Sequence, residues 1–282
     1  MIPYKSVLPA LALGTALLAP LAAHGAANQV TFRFAPPAGA AYRATSKVAT
    51  GMWITTRGKS RVNETEIVAR LRNGANGAEQ TFSVLSVTSK LDGSPMDNPL
   101  AQILPGLDLT FRLGKDGQIL DLVNFQEMLD KARKAMPPER FAEVSPLVTP
   151  EVLLARRRAA ANPLVATLAG KTLAIGETST ATGSLALPTG ELLPVRFTMT
   201  LKARERTPAC DCVRIDFKTE PVLQAGKAAD LGATGQGTAL IDPATLLTWA
   251  LHHQETILTE EPGARSVMKV DLTVDASLAP ER

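Results

Sequence analysis

Apolar and polar side chains alternate with a period of two along much of the chain, so it reads first as β-sheet with one buried and one wet face. Between Tyr42 and Thr88 long strands are predicted, with Thr65, Ile67, Ala69 and Leu71 on one face and Glu64, Glu66, Val68, Arg70 and Arg72 on the other. The run Asn73-Gly74-Ala75-Asn76-Gly77 tolerates positive φ and predicts a hairpin turn into a strand around Phe82 to Val87. A shorter hairpin is expected over Phe111 to Leu120, turning on Lys115-Asp116-Gly117. Farther along, Val195, Phe197, Met199, Leu201 and Ala203 alternate with Arg196, Thr198, Thr200, Lys202 and Arg204. Asp211 to Thr219 answers with Val213, Ile215 and Phe217 inward, after a turn at Thr207-Pro208-Ala209. Further strands are expected at Gly237–Ile241, Leu246–Ile257 and Val267–Val274. Sequential neighbours of this kind pair antiparallel.

The period changes between the two β regions. Phe125, Met128, Leu129, Ala132 and Met136 recur at helical spacing, with Asn124 and Glu127 as a capping pair and Pro137-Pro138 as a stop. A second short helix is expected over Glu139–Ser145. A third starts with Thr149 as cap and Pro150 at the first helical position, and is expected to end before Asn162-Pro163. The pattern predicts an α+β protein, mainly antiparallel sheet with a central helical block. It is organised as one β-rich domain, 26–282, made of two loosely similar halves (about 26–122 and 171–282) joined by helices over 123–170.

Ahead of this domain, Lys5 is followed by an uncharged run from Val7 to Ala23 and then by Gly25, Ala26 and Ala27. A cation, an apolar stretch and small residues form the pattern of a secretory signal peptide, 1–25, with cleavage after Gly25 favoured over cleavage after Ala27. Pro9, Gly14 and Pro20 break the run, which is shorter than the roughly 20 residues of a bilayer span. Periplasmic or secreted localisation in a bacterium is expected, with no membrane span in the mature form.

Composition narrows the function classes. Thirty basic and 27 acidic residues give a net charge of +3 in 282 residues, too mild and too dispersed for a nucleic-acid binder. Apolar residues make up 45% of the chain, which excludes a disordered protein. Catalytic motifs are absent: no Gly-x-Ser-x-Gly, no His-Glu-x-x-His and no phosphate-cradling loop. No catalytic, cofactor-binding or metal-ligating residue is assigned, and no cofactor is expected. His252 and His253, adjacent on a strand, point to opposite faces and cannot chelate one metal together, although Glu255 shares a face with His253. Arg156-Arg157-Arg158 could meet anionic headgroups, but a solvated helix face is the commoner fate of such a run.

Two features remain. Cys210 and Cys212 are a candidate disulfide in an oxidising compartment, although same-face Cα atoms of a strand lie near the ~6.8 Å upper limit for such a bond. Strand periodicity puts both on the polar face beside Arg214. Phe197, Met199 and Phe217 are candidate contacts for an apolar ligand, against the alternative of a filled core.

The start Phe34-Ala35-Pro36-Pro37-Ala38-Gly39-Ala40-Ala41-Tyr42, the central helices and the late segment from Gly237 to Leu247 resemble a group of uncharacterised exported β-rich bacterial proteins. In outline the chain is also similar to lipoprotein-carrier (LolA/LppX-like) half-barrels, in which a curved antiparallel sheet wraps helices over an apolar cavity. The resemblance implies a curved sheet or half-barrel and a non-enzymatic envelope protein that binds an apolar ligand or lipid. Two alternatives stand beside it, an envelope protein–protein interaction module and a hydrolase without a recognisable motif.

Overall fold

In the computed structural model the described residues are 28–54, 61–96, 104–145, 148–186, 192–222, 232–261 and 264–279. The signal-peptide expectation therefore lies outside the described residues. In chain order the elements are β1 (Gln29–Thr31), β2 (Ala41–Ile54), β3 (Arg61–Asn73), β4 (Glu79–Leu91), β5 (Ser94–Pro95), β6 (Asp108–Leu113) and β7 (Ile119–Leu122). Three helices follow, α1 (Phe125–Ala135), α2 (Pro138–Val144) and α3 (Pro150–Leu168). The second half holds β8 (Thr172–Ala174), β9 (Thr178–Ala186), β10 (Leu192–Arg206), β11 (Asp211–Pro221), β12 (Gly232–Ile241), β13 (Thr248–Glu261) and β14 (Ala264–Leu278).

One antiparallel sheet carries the fold, in the order β7-β6-β4-β3-β2-β14-β13-β12-β11-β10-β9, with β5 attached to β4. Within each half of this sheet the strands follow chain order, with β6 reaching β4 past the short β5; at the seam β14 pairs with β2 from Ser266↔Ile54 to Leu278↔Tyr42 and joins the halves. The sheet is open, and α3 packs against both of its outer strands, β7 and β9. Eleven strands laid flat would span about 48 Å, whereas Arg158 and Thr167 on α3 sit only about 14 Å apart along the helix axis. Arg158 Nε donates to the Ile119 carbonyl of β7 at 3.0 Å, and Ser179 of β9 donates to the Thr167 carbonyl at 2.7 Å. The sheet must bend around α3 to satisfy both. Arg158 also donates to the Leu120 carbonyl, so it occupies backbone acceptors on an outer strand that would otherwise invite another strand.

The main core forms where α3 meets the second half. Val165 and Leu168 pack with Leu201, Val213, Ile215 and Ile241, and with Val30 and Phe32 from the amino-terminal segment. That segment is pinned by β1 pairing with β8 and by Arg33 N–H donating to the Pro243 carbonyl at 2.8 Å. Phe34 lies over Gly117, where an added Cβ would come within 2.4 Å of its ring; Gly117 also has φ +85°. That turn takes glycine for both reasons.

Several expectations meet a correction here. The third helix does not end before Asn162-Pro163 but continues to Leu168. A proline inside a helix costs about 3 kcal/mol, yet the turn it permits buries Val165 and Leu168, each worth about 1.5–3 kcal/mol. Asn124 does not cap α1 with its side chain; it accepts from Thr110 N–H at 2.8 Å and donates to the Asp108 carbonyl at 2.9 Å, tying the helix start to β6. Thr149 does cap α3, accepting from Val152 N–H at 3.3 Å, with Pro150 in the first turn. The register of β3 to β4 shifts at Val68 and Ala69, where Leu85 of β4 is left without a partner; Val68 and Ala69 are both buried, so Val68 departs from the wet face expected for it. Among the described residues no helix is long and apolar enough to cross a membrane.

Candidate functional site

Each half encloses an ionisable group in apolar surroundings. In the first half, the faces of β4 and β6 that carry Val84 and Leu109 are roofed by α1, α2 and the start of α3. Met128 of α1, Met136 just after it, Phe141 of α2 and Leu153 of α3 complete a cleft that encloses about 30 Å³ of free space. Ser145 is its one polar lining side chain among the described residues. The sequence puts the cleft there because α1 presents one apolar stripe and α2 is only seven residues long, so it closes the cleft with little more than Phe141. Arg133 of α1 stacks its guanidinium over the Phe141 ring at 5.1 Å and holds the short helix in place.

One step along each wall lies Arg157. On α3 it follows Leu153 by one turn; on β4 the sequence Val84, Phe82, Gln80 runs along the same face; on β6 Leu109 is followed by Phe111. The Arg157 guanidinium sits 5.4 Å from the Phe82 ring centre and 5.9 Å from that of Phe111, and Nη2 donates to Gln80 Oε1 at 2.9 Å. Its Nε is enclosed and has no hydrogen-bond partner. Burial lowers its pKa to about 10, so the cation persists at neutral pH. The expected solvated face of the arginine run is thus modified at Arg157, which is half-buried one turn beyond Leu153 with its guanidinium against the Phe82 and Phe111 rings.

In the second half, Thr219, His253 and Glu255 share the inward face of β11 and β13, with Gly235 and Gly237 of β12 between them. The glycines make room: a Cβ at Gly235 would fall 2.6 Å from His253 Nε2, and one at Gly237 would fall 2.5 Å from Phe217 Cζ. The His253 and Phe217 rings are 5.0 Å apart. Thr219 Oγ1, His253 Nε2 and Glu255 Oε1 are all enclosed without a hydrogen-bond partner among the described residues. Burial raises the Glu255 pKa to about 7, and burial together with His252 lowers that of His253. Both groups are therefore held toward their neutral forms. Among the described residues no group of three or more His, Cys, Asp or Glu side chains could hold a metal. Along the same strands runs an open groove of about 810 Å³, lined by Thr219, Gly235 and Glu255 together with polar residues such as Lys218, Gln254 and Asp271.

Of the residues singled out from sequence, Met199 and Phe217 lie in the main core and Phe197 in a second cluster with Val195, Ala233, Ile257 and Met268. They line neither the apolar cleft nor the polar groove. Cys210 and Cys212 are bonded, with Cα atoms 5.2 Å apart. Cys212 departs from the expected polar face, because Tyr42 and Trp249 cover that face locally and leave it 2% exposed. Tyr42 meets Trp249 edge-on, with ring centres 6.0 Å apart. Arg157 and the strand position of Glu255 were within reach of periodicity, since each polar residue falls on an otherwise apolar stripe. The apolar cleft gave no such signal, because it is assembled from elements distant in sequence.

No protein-family profile matches the chain, and no curated protein matches it. Among solved structures it is similar to a β-barrel-like protein of domain of unknown function DUF1849 from Brucella abortus, at 9% identity and TM-score 0.27, covering 89% of this chain and 100% of that one. It is also similar to a DUF1329 family protein from Desulfovibrio piger, at 9% identity and TM-score 0.15 over 83% of each chain. A third is the ywiB protein from Bacillus subtilis, at 8% identity and TM-score 0.14, covering 82% and 91% respectively. Scores at this level assign neither fold nor function, and the chain stands on its own geometry as a mostly antiparallel, open-sheet protein.

Proposed function

We propose that the protein is an exported, non-enzymatic binding protein of the bacterial envelope that holds a single acyl chain in the cleft between β4, β6 and the three helices. The observation that carries this reading is the lining of the cleft: flexible methionines and branched aliphatic side chains around one hydroxyl, closed by a seven-residue helix. Enclosed space of about 30 Å³ is about the share of one water molecule in the liquid, so a chain enters as α2 swings away and the methionines repack. The uncharged run from Val7 to Ala23 behind Lys5 supports export. This moves the apolar site from Phe197, Met199 and Phe217, which fill a core, to the helix-roofed half.

Native mass spectrometry of protein recovered from the periplasmic fraction of its own host tests both parts at once. The expected result is a chain starting at Ala26 or Asn28 that carries a non-covalent acyl adduct, lost in an Ala132→Phe variant that fills the cleft. A chain retained in the cytoplasm overturns export. A ligand-free protein that also fails to bind the neutral apolar dye N-phenyl-1-naphthylamine overturns the cleft.

A further inference from the structure

We infer that the chain held in the cleft bears a carboxylate, and that Arg157 binds this head; the inference rests on the acyl-chain reading above. Arg157 is half-buried, but its Nε is cut off from water, and a guanidinium donor in that position is ordinarily matched by an acceptor, most strongly by a carboxylate. Among the described residues Arg157 has no such partner. It has one neutral amide oxygen, Gln80 Oε1, two aromatic faces and an Nε that meets nothing. No neighbouring acid offsets the effect of burial on it. The one other arginine of this turn described by its side chain, Arg158, is committed to the carbonyls of β7.

Position supplies the second argument. The residues one step beyond Val84, Leu109 and Leu153 are Phe82, Phe111 and Arg157, so the guanidinium lies next along the same three elements, behind the packed rings of Phe82 and Phe111. An acyl chain lying along Leu109 and Leu153 would bring its head to the unpaired side of Arg157, while Phe82 and Phe111 flank the first methylenes. A planar carboxylate matches the guanidinium fork, which presents parallel N–H donors. A single guanidinium matches the head of a single chain, which favours a free fatty acid.

Dodecanoate and 1-dodecanol share a chain and differ in the head, and titrating the full-length mature protein with each at pH 8 separates the two proposals. The expected result is binding of both, with dodecanoate at least about tenfold tighter, as a charge-assisted hydrogen bond supplies. In Arg157→Met this preference should fall to within about twofold; Arg157→Lys should retain part of it and serves if the methionine variant does not fold. Equal affinities in the wild type, or a preference that survives both substitutions, overturn the role of Arg157 and leave the cleft standing. Failure of both probes to bind overturns the cleft itself.

Discussion

The two halves bury opposite charges and treat them differently. Arg157 keeps its proton under the helices, because burial lowers its pKa from its ordinary value only to about 10, and its guanidinium meets Gln80 and two rings. Glu255, among strands alone, has an oxygen without a donor, and burial moves its pKa to about 7. A diffuse cation on a long stem can be accommodated by amides and π faces. A compact carboxylate needs N–H or O–H donors, and a sheet face whose backbone groups are already paired offers few. The helical roof therefore preserves a charge, whereas the strand-only face tends to remove one.

The largest expected effect sharpens this contrast through pH. The folded-state pKa of Glu255 lies above its ordinary value near 4.5, so the neutral acid contributes stability that is complete below that value and lost as pH rises through about 7. A shift of this size corresponds to about 3 kcal/mol. Glu255→Gln should therefore unfold later than the wild type at pH 8 by up to that amount, match it at pH 5, and flatten the stability profile between them. Urea denaturation at several pH values reads this out, and an unchanged slope would remove Glu255 from the account.

Arg157→Met should cost about 2 kcal/mol, from the lost hydrogen bond to Gln80 and the lost cation–π contacts. Because the guanidinium stays charged throughout, the loss should be the same at pH 5 and pH 8. A loss that grows toward one end of that range would show that the two halves are not the opposites described above. The smallest effect belongs to a site that carries no charge. Replacing Cys210 and Cys212 by serine opens a ring of three residues, worth about 1–2 kcal/mol in the chain-entropy picture, and should shift the emission of Trp249, which packs beside Cys212. Equal midpoints and spectra for both forms would show that the bond does nothing for this end of the sheet.

Much of the sheet was legible because period two is a direct image of one buried face. The stripe from Val195 to Leu201 is buried throughout, and its partner from Val213 to Phe217 likewise. Legibility failed where tertiary packing overruled a local rule. Pro163 reads as a stop, but the contacts of Val165 and Leu168 carry the helix through it. Strand β1 is three residues long and gains its place only by pairing with β8, more than a hundred residues away. Cys212 reads as outward, and it is covered by aromatic residues from β2 and β13 that periodicity cannot place beside it. The candidate site was legible in pieces. Arg157 and Glu255 each break an apolar stripe, but the meaning of the break depends on what lies opposite.

The seam between β2 and β14 also sets an order of events. Strand β2 is made early and finds its second neighbour only when residues 264–278, nearly the last of the chain, have been synthesised. Until then the first half displays fourteen residues of unpaired strand to its surroundings. Pairings between sequence-distant strands form slowly, and unpaired edges recruit other chains. Truncation near the carboxyl terminus would leave β2 without its partner and convert an internal strand into an adhesive one.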